Sequence, residues 1–83
     1  MRSDAEILRQ EARAMEMLAN EIEVAPDRLQ DYWDAAADLI TLVTDIDEFA
    51  ATSPSATADD PQVLLLKRRV RDIAARLEEM ALD

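Results

Sequence analysis

The chain has 83 residues and a formal net charge of -10, from 19 acidic and nine basic residues. It contains no Gly, Cys or His, and 49% of its residues are apolar. This composition excludes a disulfide framework, thiolate chemistry and His-based catalysis, and it favours one all-α domain over a turn-rich β fold.

The first predicted helix spans residues 3–24. Ser3 and Glu6 form an S-x-x-E capping box, which satisfies free N–H groups in the first turn. Pro26 ends this helix and can also lie in the first turn of the next one, where its missing N–H costs nothing. Asp27 is a second possible cap for that next helix. The apolar seam of the first helix consists of Leu8, Ala12, Met15, Leu18, Ala19 and Ile22.

The second predicted helix spans residues 26–50 and carries six acidic residues on one side. Their spacings are 4, 3, 4, 7 and 3, which match the helical repeat. We call these residues the acidic stripe: Asp27, Asp31, Asp34, Asp38, Asp45 and Glu48. The stripe is costly, because Asp is a poor helix former and each like-charged i,i+3 or i,i+4 pair destabilises the helix by about 0.2 to 0.5 kcal/mol. It therefore indicates an acidic binding surface.

An apolar face lies opposite the acidic stripe. Its predicted members are Tyr32, Ala36, Leu39, Ile40, Val43, Ile46 and Ala50. Leu42 and Phe49 lie between this face and the stripe, so they either pack on a third helix or form an apolar anchor in the binding surface. Trp33, at the opposite margin, has the same two alternatives. Asp47 is expected to reach solvent or to pair with an arginine of the third helix, because an unpaired buried carboxylate is expensive.

Residues 51–60 are predicted to form a loop, because they are small and polar and include a proline. Asp60 is then the N-cap, and Pro61 the first residue, of a third helix over residues 61–82. Its heptad seam consists of Val63, Leu66, Val70, Ile73, Leu77 and Met80. Leu64 and Leu65 lie outside the seam, so the start of this helix is buried on several sides or is covered by another chain.

Three amphipathic helices joined by one short and one longer connection predict a single all-α domain over residues 1–83. The expected architecture is a small antiparallel three-helix bundle. The alternative is a helical hairpin that completes its core by forming a homodimer.

The chain offers little catalytic chemistry. A solvated row of carboxylates provides neither a pocket nor two different environments, so we expect no enzymatic activity, catalytic residue or cofactor. Asp45, Asp47 and Glu48 are close in sequence, but an EF-hand loop needs a Gly at its turn, so no metal site is expected. The basic residues within 67–71 lack interleaved aromatic residues, and we expect them to pair with acids of this chain rather than with nucleic acid.

No apolar segment is long enough to cross a bilayer, and the first residues, MRSDAEIL, lack the apolar core of a signal peptide. We therefore expect a cytoplasmic protein that does not contact a membrane.

In net charge, size and lack of catalytic chemistry, the chain resembles small acidic inhibitors encoded by phages and mobile elements, including nucleic-acid mimics and anti-CRISPR proteins. The resemblance implies a protein that docks an acidic helix face on a basic, nucleic-acid-binding surface of a target protein. The predicted partner-binding residues are the acidic stripe together with Leu42 and Phe49. The alternative is a regulatory, chaperone or oligomerisation module that binds through its apolar helix faces. A third interpretation is a solvated stripe, partly neutralised by bases of the third helix.

Overall fold

The computed structural model describes residues 3–82, which form an all-α bundle of three helices. Helix α1 is Asp4–Glu21, α2 is Leu29–Thr52 and α3 is Pro61–Met80, and a single 3-10 turn, Pro26–Arg28, precedes α2. All three helices contact one another within one chain, and the bundle measures 42 × 20 × 18 Å. The predicted three-helix bundle is therefore confirmed, and the chain does not need a partner copy to complete a hairpin.

The two predicted N-caps begin α1 and α3. Ser3 Oγ accepts a hydrogen bond from the backbone N–H of Glu6 at 3.3 Å. The side chain of Asp60 accepts one from the backbone N–H of Gln62 at 2.8 Å, and Pro61 is the first residue of α3. Both caps satisfy N–H groups that have no partner within the helix.

The first helix ends earlier than the sequence predicts, at Glu21 rather than near residue 24. Beyond it the chain is extended, and Val24 forms an isolated antiparallel bridge with Ala81. The backbone N–H of Leu82 donates to the carbonyl of Glu23 at 2.8 Å. These backbone groups find partners across the bundle, so the helix need not continue, and the end of α3 is tied to the end of α1.

The bounds of the second helix also differ from the prediction. Pro26–Arg28 is a separate turn, and α2 begins with no side-chain cap, so the alternative cap at Asp27 is not used. The helix continues through Thr52 and stops at Ser53. Ser53 precedes Pro54, and a residue before proline disfavours the helical conformation.

The core lies along the line where the three helices meet. α3 contributes all six residues of its predicted seam, each at most 6% exposed. α1 contributes four buried residues, which are Ala5, Leu8, Ala12 and Ala19. α2 contributes six, which are Ala35, Leu39, Leu42, Ile46, Phe49 and Ala50.

The orientation of α2 corrects the sequence prediction. Leu42 is 0% exposed and Phe49 is 6% exposed, so both pack in the core and cannot form an apolar anchor on a binding surface of this fold. Ile40, predicted to be buried, is 69% exposed instead. The buried side of α2 is therefore turned towards the acidic stripe, and apolar side chains on the other margin face solvent.

Candidate protein-binding surface

Two members of the acidic stripe pair with arginines of α3. Arg76 Nη1 donates to Asp38 Oδ2 at 2.6 Å, and Arg69 Nη1 donates to Asp45 Oδ2 at 2.7 Å. The two pairs lie one heptad apart along both helices, in opposite directions, as expected for antiparallel neighbours. The hydrogen bond to Asp38 raises the pKa of Arg76 above its ordinary value. The middle of the stripe is thus neutralised by α3.

The remaining stripe residues have local partners or none. Asp31 accepts a hydrogen bond from Arg28 Nε at 2.9 Å, and Asp34 accepts one from a neighbouring glutamine at 3.1 Å. Within residues 3–82, the side chains of Asp27 and Glu48 form neither an ion pair nor a hydrogen bond. The six residues therefore do not act as one uniform charged surface.

Two further ion pairs link α1 to its neighbours. Lys67 Nζ lies 3.7 Å from Asp4 Oδ1, so Lys67, like Arg69, pairs within the chain as expected. Arg68 and Arg71 form no ion pair within residues 3–82, so the expectation is wrong for them. Asp47 pairs with Arg9 Nε of α1 at 3.2 Å. Asp47 reaches solvent, as one of the two alternatives predicts, with its side chain 53% exposed. The other alternative, an arginine of the third helix, is wrong, because Asp47 lies on the margin of α2 that faces α1.

An exposed apolar surface lies on the side of α2 away from the acidic stripe. Leu29, Trp33 and Ile40 are 47%, 65% and 69% exposed, and their spacings of 4 and 7 place them on one side of the helix. We call these three residues the α2 ridge. Between Trp33 and Ile40 lie Ala36, which is half-buried, and Ala37, which is exposed. Two large apolar side chains thus flank a shallow gap lined by alanines.

The exposed indole of Trp33 is positioned by the residue before it. The rings of Trp33 and Tyr32 lie 6.4 Å apart at 75°, an edge-to-face arrangement. The Tyr32 hydroxyl donates to the backbone carbonyl of Ala19 on α1 at 2.7 Å. Because Tyr32 is fixed across the α1–α2 interface, Trp33 is exposed and yet supported.

A groove between α1 and α2 extends this surface onto α1. Ile40 lines the groove on the α2 side, and Met17 of α1, 62% exposed, lines its outer part. Glu16 and Asn20 lie along its length. The remaining apolar lining consists of Ala12, Ala19, Ala36, Leu39, Val43 and part of Tyr32. We call it the α1–α2 groove; its apolar floor is bordered by Glu16, by Arg13 and by the Arg9–Asp47 ion pair.

Other exposed apolar residues do not form a comparable surface. Leu64 and Leu65 of α3 are each 55% exposed, but as sequence neighbours they lie about 100° apart around the helix. Ile7 and Leu82 lie near the ends of the described chain. Isolated apolar residues of this kind are ordinary on protein surfaces, whereas several that share one side of a helix are typical of a binding site.

Residues 3–82 contain no group of three or more potential metal ligands, and none of the helices they form has both the length and the hydropathy needed to cross a bilayer. Comparisons of the chain with protein-family models, with curated proteins and with solved structures found no match. The exposed residues of α1 and α2 can bury apolar area and attract positive charge.

Proposed function

We propose that the protein is a non-catalytic binding module that docks the α2 ridge and the α1–α2 groove on a partner protein. The observation that carries this proposal is the exposure of Leu29, Trp33 and Ile40 on one side of α2, with Trp33 supported by Tyr32. Tryptophan is enriched among the residues that dominate binding energy at interfaces. A surface already ordered before binding loses less conformational entropy when the complex forms.

The acidic residues act in this proposal by attracting the partner. Residues 4–52 contain thirteen acidic and three basic residues, so α1 and α2 together attract a basic surface over a Debye length of about 8 Å at physiological salt. Such attraction raises the association rate and helps to select the partner more than it adds affinity. The proposed partner is therefore a protein with a basic surface around an apolar contact.

The test is affinity capture from a lysate of the source cells with three forms of the protein. The ridge variant Trp33→Ala/Ile40→Ala removes apolar area from α2, and the matched control Leu64→Ala/Leu65→Ala removes exposed apolar area from α3. We expect the ridge variant to lose the proteins that the wild type and the control retain. Equal capture by a folded ridge variant, checked by circular dichroism, would reject the proposal.

A second candidate function is an inhibitor whose acids dock on a nucleic-acid-binding surface, in the manner of phage-encoded nucleic-acid mimics or anti-CRISPR proteins. Asp27, Asp34 and Glu48 favour it, because none of them has a basic partner within the described residues. This function predicts that Asp34→Asn/Glu48→Gln abolishes capture and that DNA or RNA competes for the captured protein. Retained capture by that variant, with no competition by nucleic acid, would exclude it.

A further inference from the structure

Four residues on the outer side of α2 form a socket for a side chain from a facing helix. Trp33, Ala36, Ala37 and Ile40 occupy positions i, i+3, i+4 and i+7, the arrangement that makes one hole in knobs-into-holes packing. Two large apolar residues mark the ends of this hole, and two alanines leave its middle open. We call these four residues the α2 hole.

The surface continues without charge on both sides of the α2 hole. Before it, the next hole is bounded by Leu29 and Tyr32; after it, by Thr41 and Thr44. The hydroxyls of Thr41 and Thr44 donate to carbonyls of their own helix at 3.2 and 3.1 Å, so their hydrogen-bonding needs are met without a partner. Residues 29–44 thus offer about 22 Å of uncharged helix surface. Its holes follow the helical repeat, so the side chains of a second helix can pack into them.

The two helices that form this surface are chiefly negative, because residues 4–52 contain thirteen acidic and three basic residues. Glu16 of α1 lies along the groove on one side of the α2 hole, and Asp34 of α2 lies on the other side, towards Arg28 and Arg76. Arg13, one turn before Glu16 on α1, lines the same groove and forms no ion pair within residues 3–82. A second copy of the chain would bring another formal charge of -10, and the repulsion between two such charges opposes its approach. A helix with bases flanking its apolar seam would pair with the acids instead.

From these features we infer that the occupant of the α2 surface is an amphipathic helix of a partner protein, with basic residues on both sides of its apolar seam. This inference rests on the proposed function and specifies the chemistry of the partner. A side chain of the apolar seam enters the α2 hole between Trp33 and Ile40. The flanking lysines or arginines lie near Glu16 and Asp34.

The experiment uses Trp33 as its reporter, because it is the one tryptophan in the chain. Two tryptophan-free helical peptides of about 20 residues carry the same leucine heptad seam, one with lysine and the other with glutamate at the flanking positions. We expect the lysine peptide to shift Trp33 emission to shorter wavelength in a saturable titration. The glutamate peptide should bind at least about tenfold more weakly.

A matched pair of variants locates the binding. Ala37→Gln fills the α2 hole with a neutral, helix-compatible side chain, and Ala75→Gln makes the same change at an exposed position of α3. We expect Ala37→Gln to weaken binding of the lysine peptide about tenfold and Ala75→Gln to leave it unchanged. Equal weakening by both, or by neither, would overturn the inference.

Two other outcomes would also overturn it. In the first, both peptides bind the wild type equally and both lose binding to Ala37→Gln. The partner helix would then not need to be basic, while the proposed docking through α2 would stand. A concentration-dependent shift of Trp33 emission without peptide, together with a dimer mass in sedimentation, would assign the surface to a second copy. If lysate capture is also insensitive to the ridge variant, the proposed function itself fails.

Discussion

The two margins of α2 carry different kinds of residue and differ in what they do. On the margin facing α3, Asp38 and Asp45 are occupied by Arg76 and Arg69. On the other margin, Trp33 and Ile40 are more than 60% exposed. Charges of a conspicuous row can therefore pair within their own fold, whereas less conspicuous apolar residues stay exposed. Exposure and pairing, more than the number of charges, separate the two roles.

The largest expected difference is between two isoleucines of α2. Ile46 is 0% exposed and Ile40 is 69% exposed. Ile46→Ala should lower the free energy of unfolding by about 2 to 5 kcal/mol, through lost burial and the cavity left behind. Ile40→Ala should change it by no more than about 0.5 kcal/mol. Urea denaturation measures both, and similar losses for the two variants would mean that the exposed margin is wrongly assigned.

A smaller effect is expected at the contact that supports Trp33. Tyr32→Phe keeps the ring but removes the hydroxyl that donates to the Ala19 carbonyl. We expect the free energy of unfolding to fall by about 0.5 to 1.5 kcal/mol, the usual net value of one hydrogen bond. Emission from Trp33 should also change, because its supporting ring becomes more mobile. If both stability and emission match the wild type, Tyr32 does not hold Trp33 in place.

The smallest effects concern the acids. Asp38→Asn and Asp45→Asn should each lower the free energy of unfolding by no more than about 1 kcal/mol, because these pairs are largely exposed. The loss should diminish as salt is added. Asp34→Asn is the control, since Asp34 has no basic partner and its removal relieves like-charge repulsion. If Asp34→Asn lowers the free energy of unfolding more than Asp38→Asn and Asp45→Asn do, the paired acids are not the stabilising ones.

The sequence predicts α3 well because its apolar residues form a narrow seam. Each of the six seam positions is buried, and charged residues such as Lys67 and Arg76 border it, so one orientation is clearly preferred. The Asp60 and Ser3 caps are also predictable, because a cap is a local hydrogen bond that depends on a few neighbouring residues.

The orientation of α2 is not predictable in the same way. Its apolar residues cover a wide arc, so the pattern places Ile40 on the apolar face and Leu42 at its margin, although the two lie about 160° apart around the helix. Contacts distant in sequence decide between them. In the folded chain Leu42 lies in the core and Ile40 is exposed, and Arg69 and Arg76 of α3 pair with the acidic margin.

The candidate binding surface is also only partly predictable from the sequence, because it depends on tertiary contacts. Trp33 can be identified from the sequence as a residue at the margin of the apolar face, with a packing and a binding alternative. The surface that Trp33 shares with Ile40 and the α1–α2 groove cannot be predicted from the sequence, because it depends on how α1 and α3 pack on α2.

The central claim is that the apolar margin of α2, and not its α3-facing acids, binds the partner. The most direct measurement compares the amounts of partner protein captured at physiological salt by Trp33→Ala/Ile40→Ala and by Asp38→Asn/Asp45→Asn, quantified by mass spectrometry. Both variants should remain folded. Our account predicts at least about a tenfold loss for the first variant and a much smaller loss for the second. Retained capture by the first variant and loss by the second would contradict it.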